Sequence, residues 1–336
     1  MRDGGRLLIV LVVLFLLSGP GPARADSVRT LCTIRDPRIT ESSGLAATAD
    51  RLWTINDGGS RLQVFELDRS CRVVRLIQAG IDPYDVEDLA RASDGTLWLA
   101  DTGDNSLNRS TVALERIRPD GSAALFRLTY PDGPHDAEAI LLTPSGQFLI
   151  ATKEPLTSNV YTPVGPLSGS RPTALRRVAS IGLLPTGTAG GPVGTAGQVL
   201  VTGGAVSPDG RTVVLRTYTD AYVWAAPDGD VAAALSGGDR RRIPLPPTAQ
   251  GEGVTFSADG RSLLTSTEKI PGPVHEIPLG DAVAAPATTT PAPQPADADP
   301  GPGLDVAEWV RTLVLPVGAV ILLGAVISYL VARRRG

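Results

Sequence analysis

A chain of 336 residues, 42% of them apolar, is long and apolar enough to bury a sizeable core. Its two ends stand apart from that core, and the stretch between them, Asp26 to Glu308, sets 24 Lys+Arg against 34 Asp+Glu, a net of −10. That balance excludes nucleic acid as a partner and favours cations or neutral molecules.

In chain order, Arg2 and Arg6 precede an apolar run from Leu7 to Leu17, and Ala23-Arg24-Ala25 follows as a small-x-small cleavage pattern. Residues 1–25 read as a secretory signal, since the run falls short of the roughly 20 residues that span a bilayer. The globular part is expected over 28–281. Residues 284–303, "AAPATTTPAPQPADADPGPG", are proline-dense and lack any large apolar side chain, so they are expected to be an extended spacer. Residues 310–332 are expected to form a transmembrane helix. The arginines at 333–335 follow directly and place the tail, 333–336, on the cytoplasmic side. The expectation is a single-pass protein of the cell membrane whose N-terminal domain is extracellular. Cys32 and Cys71 are the only cysteines and fall in the exported part, where a disulfide is the default.

Five segments of the globular part resemble one another: "SGLAATADRLWTIND", "EDLARASDGTLWLADTGDN", "EAILLTPSGQFLIATKE", "GAVSPDGRTVVLRTYT" and "EGVTFSADGRSLLTSTEK". Each is an apolar strand, a turn with Asp-Gly or a relative, and a second apolar strand with a polar end, which is a hairpin signature. Matching Leu45, Leu89, Ile140, Val206 and Val254 puts the repeats 44 to 66 residues apart. This spacing leaves room for two further strands per unit and points to a β-propeller. "LQVFELD", "TVALERI", "AYVWAAP" and "PVHEIPL" read as third strands; "CRVVRLI", "ALFRLTY", "ALRRVAS" and "RRIPLPP" read as fourth strands. The last unit lacks a fourth strand, and "RTLCTIRD" at the N-terminus has no unit of its own, so it is expected to complete the last blade. The prediction is an all-β, five-bladed propeller. Six blades are the alternative if "LLPTGTAGGPVGTAG" hides a degenerate unit. Closure would put Cys32 and Cys71 on outermost strands of neighbouring blades.

In such a hairpin the start of the first strand and the end of the second meet at one mouth of the central channel. Glu87, Glu138 and Glu252 share a first-strand register, in which the other two units have Ser43 and Gly204. The second-strand ends bring Asn56 and Asp57, then Asp101, Asp104 and Asn105, then Lys153, then Arg216, then Glu268 and Lys269. "YDVEDLA" adds Asp85 and Asp88, and "HDAEAI" adds Asp136. The convergence suits a ligand pocket, with calcium among the carboxylates of Glu87, Asp101, Asp104 and Glu138, or an anion against the three cations. An ion-pair network plugging the channel is the structural alternative. "DTGDN" lacks the alternating oxygens of an EF-hand loop. No G-x-S-x-G, H-E-x-x-H or Walker loop is present. Of the two histidines, His135 is the better candidate base and His275 reads as structural. Trp53 and Trp98 read as core.

The ordered set "ESSGLA", "LWTINDGG", "VEDLA", "ADTGDN", "DAEAI" and "GEGVTF" resembles a group of secreted or membrane-anchored bacterial β-propeller proteins, over roughly Cys32 to Glu268. That group is distantly similar to the phytase-like and esterase-like propellers. The resemblance implies a propeller with an acidic face that binds calcium in those relatives. The dense lysine and arginine lining expected of a phytase site is lacking here. Two functions follow: binding of an ion, ligand or extracytoplasmic protein at the acidic mouth, or calcium-dependent hydrolysis of phosphate or carboxyl esters.

Overall fold

The computed structural model of the protein describes residues 27–280. The signal, spacer, span and tail read from the sequence lie outside the described residues, among which no helix is long and apolar enough to cross a membrane.

The described residues form an all-β, propeller-like arrangement of twisted antiparallel sheets. After β1 (Arg29–Ile34), one sheet holds β2 (Ser42–Ala47), β3 (Arg51–Asn56), β4 (Leu62–Asp68) and β5 (Val73–Ala79) in sequence order. Next come β6 (Val86–Arg91), β7 (Leu97–Asp101), β8 (Val112–Ile117) and β9 (Ala123–Thr129), followed by β10 (Ala137–Leu142), β11 (Phe148–Thr152), β12 (Thr157–Pro163) and β13 (Thr173–Gly182). These two sets of four are joined into one eight-stranded sheet by a short parallel pairing of β9 with β13, Leu128 with Thr173 and Thr129 with Ala174. Another sheet holds β14 (Val201–Val206), β15 (Thr212–Thr217), β16 (Asp220–Ala225) and β17 (Arg241–Pro244), with a short helix α1 (Val231–Ser236) before its last strand. The last is built from β18 (Gly251–Phe256), β19 (Ser262–Thr267) and β20 (Gly272–Pro278), and β1 pairs antiparallel with β20 to complete it. The glycine-rich stretch between β13 and β14 holds a single 3-10 turn, Gly194–Val199, and no strand.

The reason for this build lies in which faces are apolar. Side chains alternate across a strand, and both faces of each sheet are apolar, so neither can face water. Leu45 packs with Phe65 and Leu264; Leu89 and Leu99 pack with Val64; Ile140 packs with Leu114; Leu141 packs with Val201 and Leu215; Val254 packs with Val214. Each such cluster lies between one four-strand set and the next, and the last lies between β18–β20 and β2–β4. The first strands β2, β6, β10, β14 and β18 pack each against the next, and β18 against β2.

Each first strand carries a β-bulge near its start: between Ser42 and Leu45, Val86 and Asp88, Ala137 and Ala139, Val201 and Gly203, and Gly251 and Val254. A bulge adds a residue that the partner strand does not match and re-aims its side chain. At the other end the hairpin turns place Gly95, Gly146, Gly210 and Gly260 at φ between 70° and 88°, which glycine adopts without a Cβ penalty. Those turns fix the register and correct one sequence match. Counted from the turn, Gly204 rather than Val206 is equivalent to Leu45, Leu89, Ile140 and Val254, and Thr202 rather than Gly204 stands in the register of Glu87.

Cys32 on β1 is disulfide-bonded to Cys71. Cys71 lies in the turn between β4 and β5 at φ 61°, donating its N–H to the Asp68 carbonyl, instead of on an outermost strand as expected. The turn supplies the reach that two separate sheets lack, and the bond crosses the seam where the chain's first strand completes its last sheet.

Candidate functional site: a carboxylate cluster at one channel mouth

The bulges decide what fills the mouth. Glu87, Glu138 and Glu252 are the bulged residues of β6, β10 and β18, and all three are buried. Asp57 follows β3, Asp85 precedes β6 and Asp136 precedes β10. In two groups, Asp57–Asp85–Glu87 and Glu87–Asp136–Glu138, one oxygen from each carboxylate comes within 4.8 Å of the others, so Glu87 belongs to both.

"ADTGDN" turns out to be the frame that holds this cluster. Asp101 accepts N–H bonds from Tyr84 at 3.0 Å and Asp85 at 3.0 Å, and is ion-paired with Arg109 at 2.8 Å. Arg109 also donates to the Gly103 carbonyl, and its guanidinium lies over the Tyr84 ring. Asp104 closes the following turn by accepting from the Asn108 and Arg109 N–H groups, and its own N–H donates to Asp136 Oδ1 at 2.8 Å. The Thr102 hydroxyl donates to the Ala137 carbonyl at 2.6 Å, tying this loop to β10. Gly103 lies directly against the Asp85 and Glu87 carboxylates, and a Cβ there would overlap Glu87 Oε1 and Asp85 Oδ2.

Taking carboxylates out of water favours their neutral form, and neighbouring carboxylates add to that. Burial, reinforced by Asp57 and Asp136, lifts Asp85 to about 7. Burial lifts Asp57 to about 6 against the pull of Lys153. Glu87 is raised well above the ordinary range, by burial first and Glu138 next; Glu138 and Glu252 are raised likewise by burial, with Lys153 opposing. Glu268, beside Glu252, is raised to about 7 by burial. Lys153 donates to Glu138 and lies 5.3 Å from the Tyr218 ring centroid. Burial opposes its charge, but Glu138, Tyr218 and Glu252 outweigh it and hold the ammonium's pKa well above its usual value. One lysine among so many carboxylates leaves an acidic excess, and Glu252 Oε2 is buried with no hydrogen-bond partner.

The structure thus brings together Asp57, Glu87, Glu138, Lys153, Glu252 and Glu268 of the residues singled out by sequence. It moves the others elsewhere. Asp101 and Asp104 were expected as metal ligands, but their oxygens are already taken by N–H groups and Arg109. Arg216 is fully buried with its donors on the carbonyls of Thr217, Tyr218, Gly253 and Ser266, so it braces β15 against β18, and burial lowers its pKa to about 10. Lys269 is exposed: its backbone adopts φ 67°, and its N–H is held by the Thr40 carbonyl. Asn56 ties down the preceding loop through the Arg38 carbonyl and the Glu41 N–H, and Asn105 is exposed. His135 stands outside both carboxylate groups, held by Glu154, Asp132 and the Tyr161 hydroxyl. His275 faces Thr30 across the β1–β20 pairing.

Asp85 and Asp136 complete the cluster, while Tyr218 and Arg109 support it. The first two carried a sequence signal, since each stands two residues before a bulged glutamate. Tyr218 and Arg109 carried none.

No protein-family model matches the chain, and no curated protein matches it in sequence. Among solved structures, it is similar to a putative gluconolactonase at 15% identity, covering 76% of this chain and 93% of that one with a TM-score of 0.42. A gluconolactonase from Xanthomonas campestris is similar at 15% identity over 75% of this chain and 89% of its own, TM-score 0.41. A virginiamycin B lyase from Staphylococcus aureus is similar at 12% identity over 74% and 69%, TM-score 0.37.

Proposed function

We propose that the protein is a five-bladed propeller displayed on the outer side of the cell membrane, anchored by residues 310–332 on the spacer 284–303, and that its acidic mouth binds a divalent cation. The observation that carries this reading is the pair of carboxylate groups sharing Glu87. An all-oxygen donor set suits a hard cation such as Ca2+. The unpartnered, buried Glu252 Oε2 marks a polar demand that the protein itself leaves unmet. Asp57, Asp85, Glu87, Asp136 and Glu138 would hold the ion, with Lys153 balancing part of the remaining charge. A bound ion would supply Lewis acidity and an attachment point for an oxygen-bearing ligand or partner protein. The test is calorimetric titration of the full chain in nanodiscs with Ca2+ after chelator treatment. One-to-one or two-to-one binding, lost in Glu87→Gln and kept in Asn105→Ala, supports the reading; no heat and no thermal shift at millimolar Ca2+ overturns it.

A second reading, calcium-dependent hydrolysis of phosphate or carboxyl esters, is favoured by one feature. Glu268, beside the cluster and outside both carboxylate groups, is lifted by burial to about 7, where a general base is most useful. Turnover of such esters that is abolished by chelator and by Glu268→Gln, with Ca2+ binding kept in Glu268→Gln, supports it.

A further inference from the structure

Behind the frame lies a carboxyl group with no partner. Leu97, Leu99 and Asp101 of β7 turn to one side of their sheet, and the pairing of Leu99 with Glu115 puts Glu115 of β8 on that same side. There Leu97, Leu99 and Ile117 pack against Ile55, Leu62 and Val64 of the β2–β5 sheet, so Glu115 points into an apolar seam between two sheets. It has no exposed surface, and neither of its carboxylate oxygens has a hydrogen-bond partner. Among the buried carboxyl groups of the described residues, it alone is orphaned at both oxygens. Buried polar groups are ordinarily paired, so the exception calls for a cause.

Few charges reach it. Asp101 stands one diagonal step away on the same side, since its own pair on β8 is Ala113, and Arg109 is bound to Asp101 at 2.8 Å and to the Gly103 carbonyl at 2.7 Å. From β9, Arg127 shares the side but reaches out to the Thr111 hydroxyl at 3.3 Å. Arg116 of β8 is on the opposite side, over the Trp98 and Phe126 rings. On β6, Arg91 is held over the Trp53 ring, and the loop before it carries Asp82, exposed, and Asp85, turned to the mouth. Across the seam β4 brings Glu66, paired with Arg51 of β3 at 3.3 Å, and β5 brings Arg75, exposed. Of all these, only Asp101 and Arg109 act on Glu115. Burial lifts its carboxyl to about 8, with Asp101 adding to the lift and Arg109 opposing it.

We infer that Glu115 is a proton switch behind the mouth: protonated, it leaves Arg109 to Asp101, and ionised, it draws Arg109 away and unlocks the loop that holds Asp85. A carboxylate in a hydrocarbon seam is costly unless a cation neutralises it, and Arg109 is the cation that acts on this one. Arg109 cannot serve both acids at full strength. Asp101 in turn accepts the N–H groups of Tyr84 and Asp85, so whatever loosens Asp101 loosens the carboxylate group containing Asp85. Mildly alkaline solution therefore weakens a cation site that simple loss of protons from carboxyl groups would strengthen. The effect on cation binding rests on the reading above, whereas the switch in the frame does not.

The test compares the full chain in nanodiscs with Glu115→Gln, which cannot ionise, and with Glu115→Met, which needs no partner and carries the comparison should the glutamine variant not fold. In chelator, amide exchange at Tyr84 and Asp85 is read as the ratio of wild type to variant at each pH, so that base catalysis cancels. That ratio should stay near one at about pH 6.5 and rise about tenfold by about pH 9.5. Melting temperature should follow the same proton. The folded state holds it and the unfolded state releases it, so the stability it contributes is full below about pH 4 and is lost as pH rises through about 8. The wild type should therefore lose several degrees relative to Glu115→Gln across that interval. Ca2+ affinity should fall about tenfold between about pH 7.5 and 9.5 in the wild type and in neither variant. An exchange ratio that stays level with pH, or a melting gap that does not widen, overturns the proposal. A rising exchange ratio in a protein that binds no Ca2+ at any pH supports the switch and overturns only the cation reading.

Discussion

The two ends of the channel are made by the same five strands, yet one collects carboxylates and the other aliphatic side chains. At the mouth each strand is bulged, and the bulged residue is glutamate in three of the five: Glu87, Glu138 and Glu252. At the turn end the pairing is regular, and the matching positions are mostly Ala, Leu, Val or Phe. A one-residue irregularity in the ladder, repeated round the ring, therefore separates a polar end from an apolar one. The carboxylates can crowd together only because a frame behind them, Asp101, Arg109 and Asp104, satisfies the surrounding backbone.

The largest effect on this contrast is expected at the frame. Asp101→Ala leaves the Arg109 guanidinium buried without its carboxylate and two N–H groups unpaired, which should cost about 3–5 kcal/mol. Urea denaturation should show a lower midpoint at unchanged slope, together with loss of Ca2+ binding. A change under 1 kcal/mol would mean that the mouth stands without its frame.

Next, Gly103→Ala pushes a methyl group into the Asp85 and Glu87 carboxylates. These are flexible ends that can shift, so stability should fall by only about 1–3 kcal/mol. The Ca2+-induced rise in melting temperature should disappear. Retention of that rise would show that the two carboxylates need not be held where Gly103 lets them lie.

The mouth should also give itself away by pH. Asp57, Asp85 and Glu268 titrate at about 6, 7 and 7 in the folded protein, above the ordinary carboxylate range near 4. The folded state thus holds protons that the unfolded state releases. The stability they contribute is full below about pH 4 and is lost as pH rises through 6 to 7. Melting temperature measured in chelator should fall by several degrees from pH 5 to pH 8, and Ca2+ should restore it at pH 8. A melting temperature that rises across that interval in chelator would contradict the acidic excess.

The smallest effect belongs to the other end. Val206 is half-buried at the close of β14, so Val206→Glu should change stability by about 1 kcal/mol or less and leave the Ca2+ shift intact, as read by calorimetry and thermal melting. Loss of that shift would mean that the two ends communicate through the strands.

The hairpins were legible because apolar alternation and Asp-Gly turns are local signals. The third strands "LQVFELD" and "PVHEIPL" match β4 and β20 almost residue for residue. The completion of the last sheet by the N-terminal strand was legible by elimination. The ligand set was only half legible. Asp101 and Asp104 stand at a strand end beside an asparagine and look like ligands, but a carboxylate's use depends on which N–H groups the folded loop brings to it. Lys153 and Lys269 hold the same place in their repeats, and a single positive φ turns Lys269 out to solvent.

By itself, then, the amino-acid sequence determined the repeat, the strand order within each unit and the acidic character of the mouth, because each is encoded in residues that are neighbours along the chain. Tertiary structure alone decided which carboxylates meet, through bulges whose position depends on pairing with a second strand, and through the Asp101–Arg109 frame that links one unit to the next. It also decided that the far end opens into a cavity between the five strand ends. Five strand ends had to be brought round a closed ring before their side chains could face a common space.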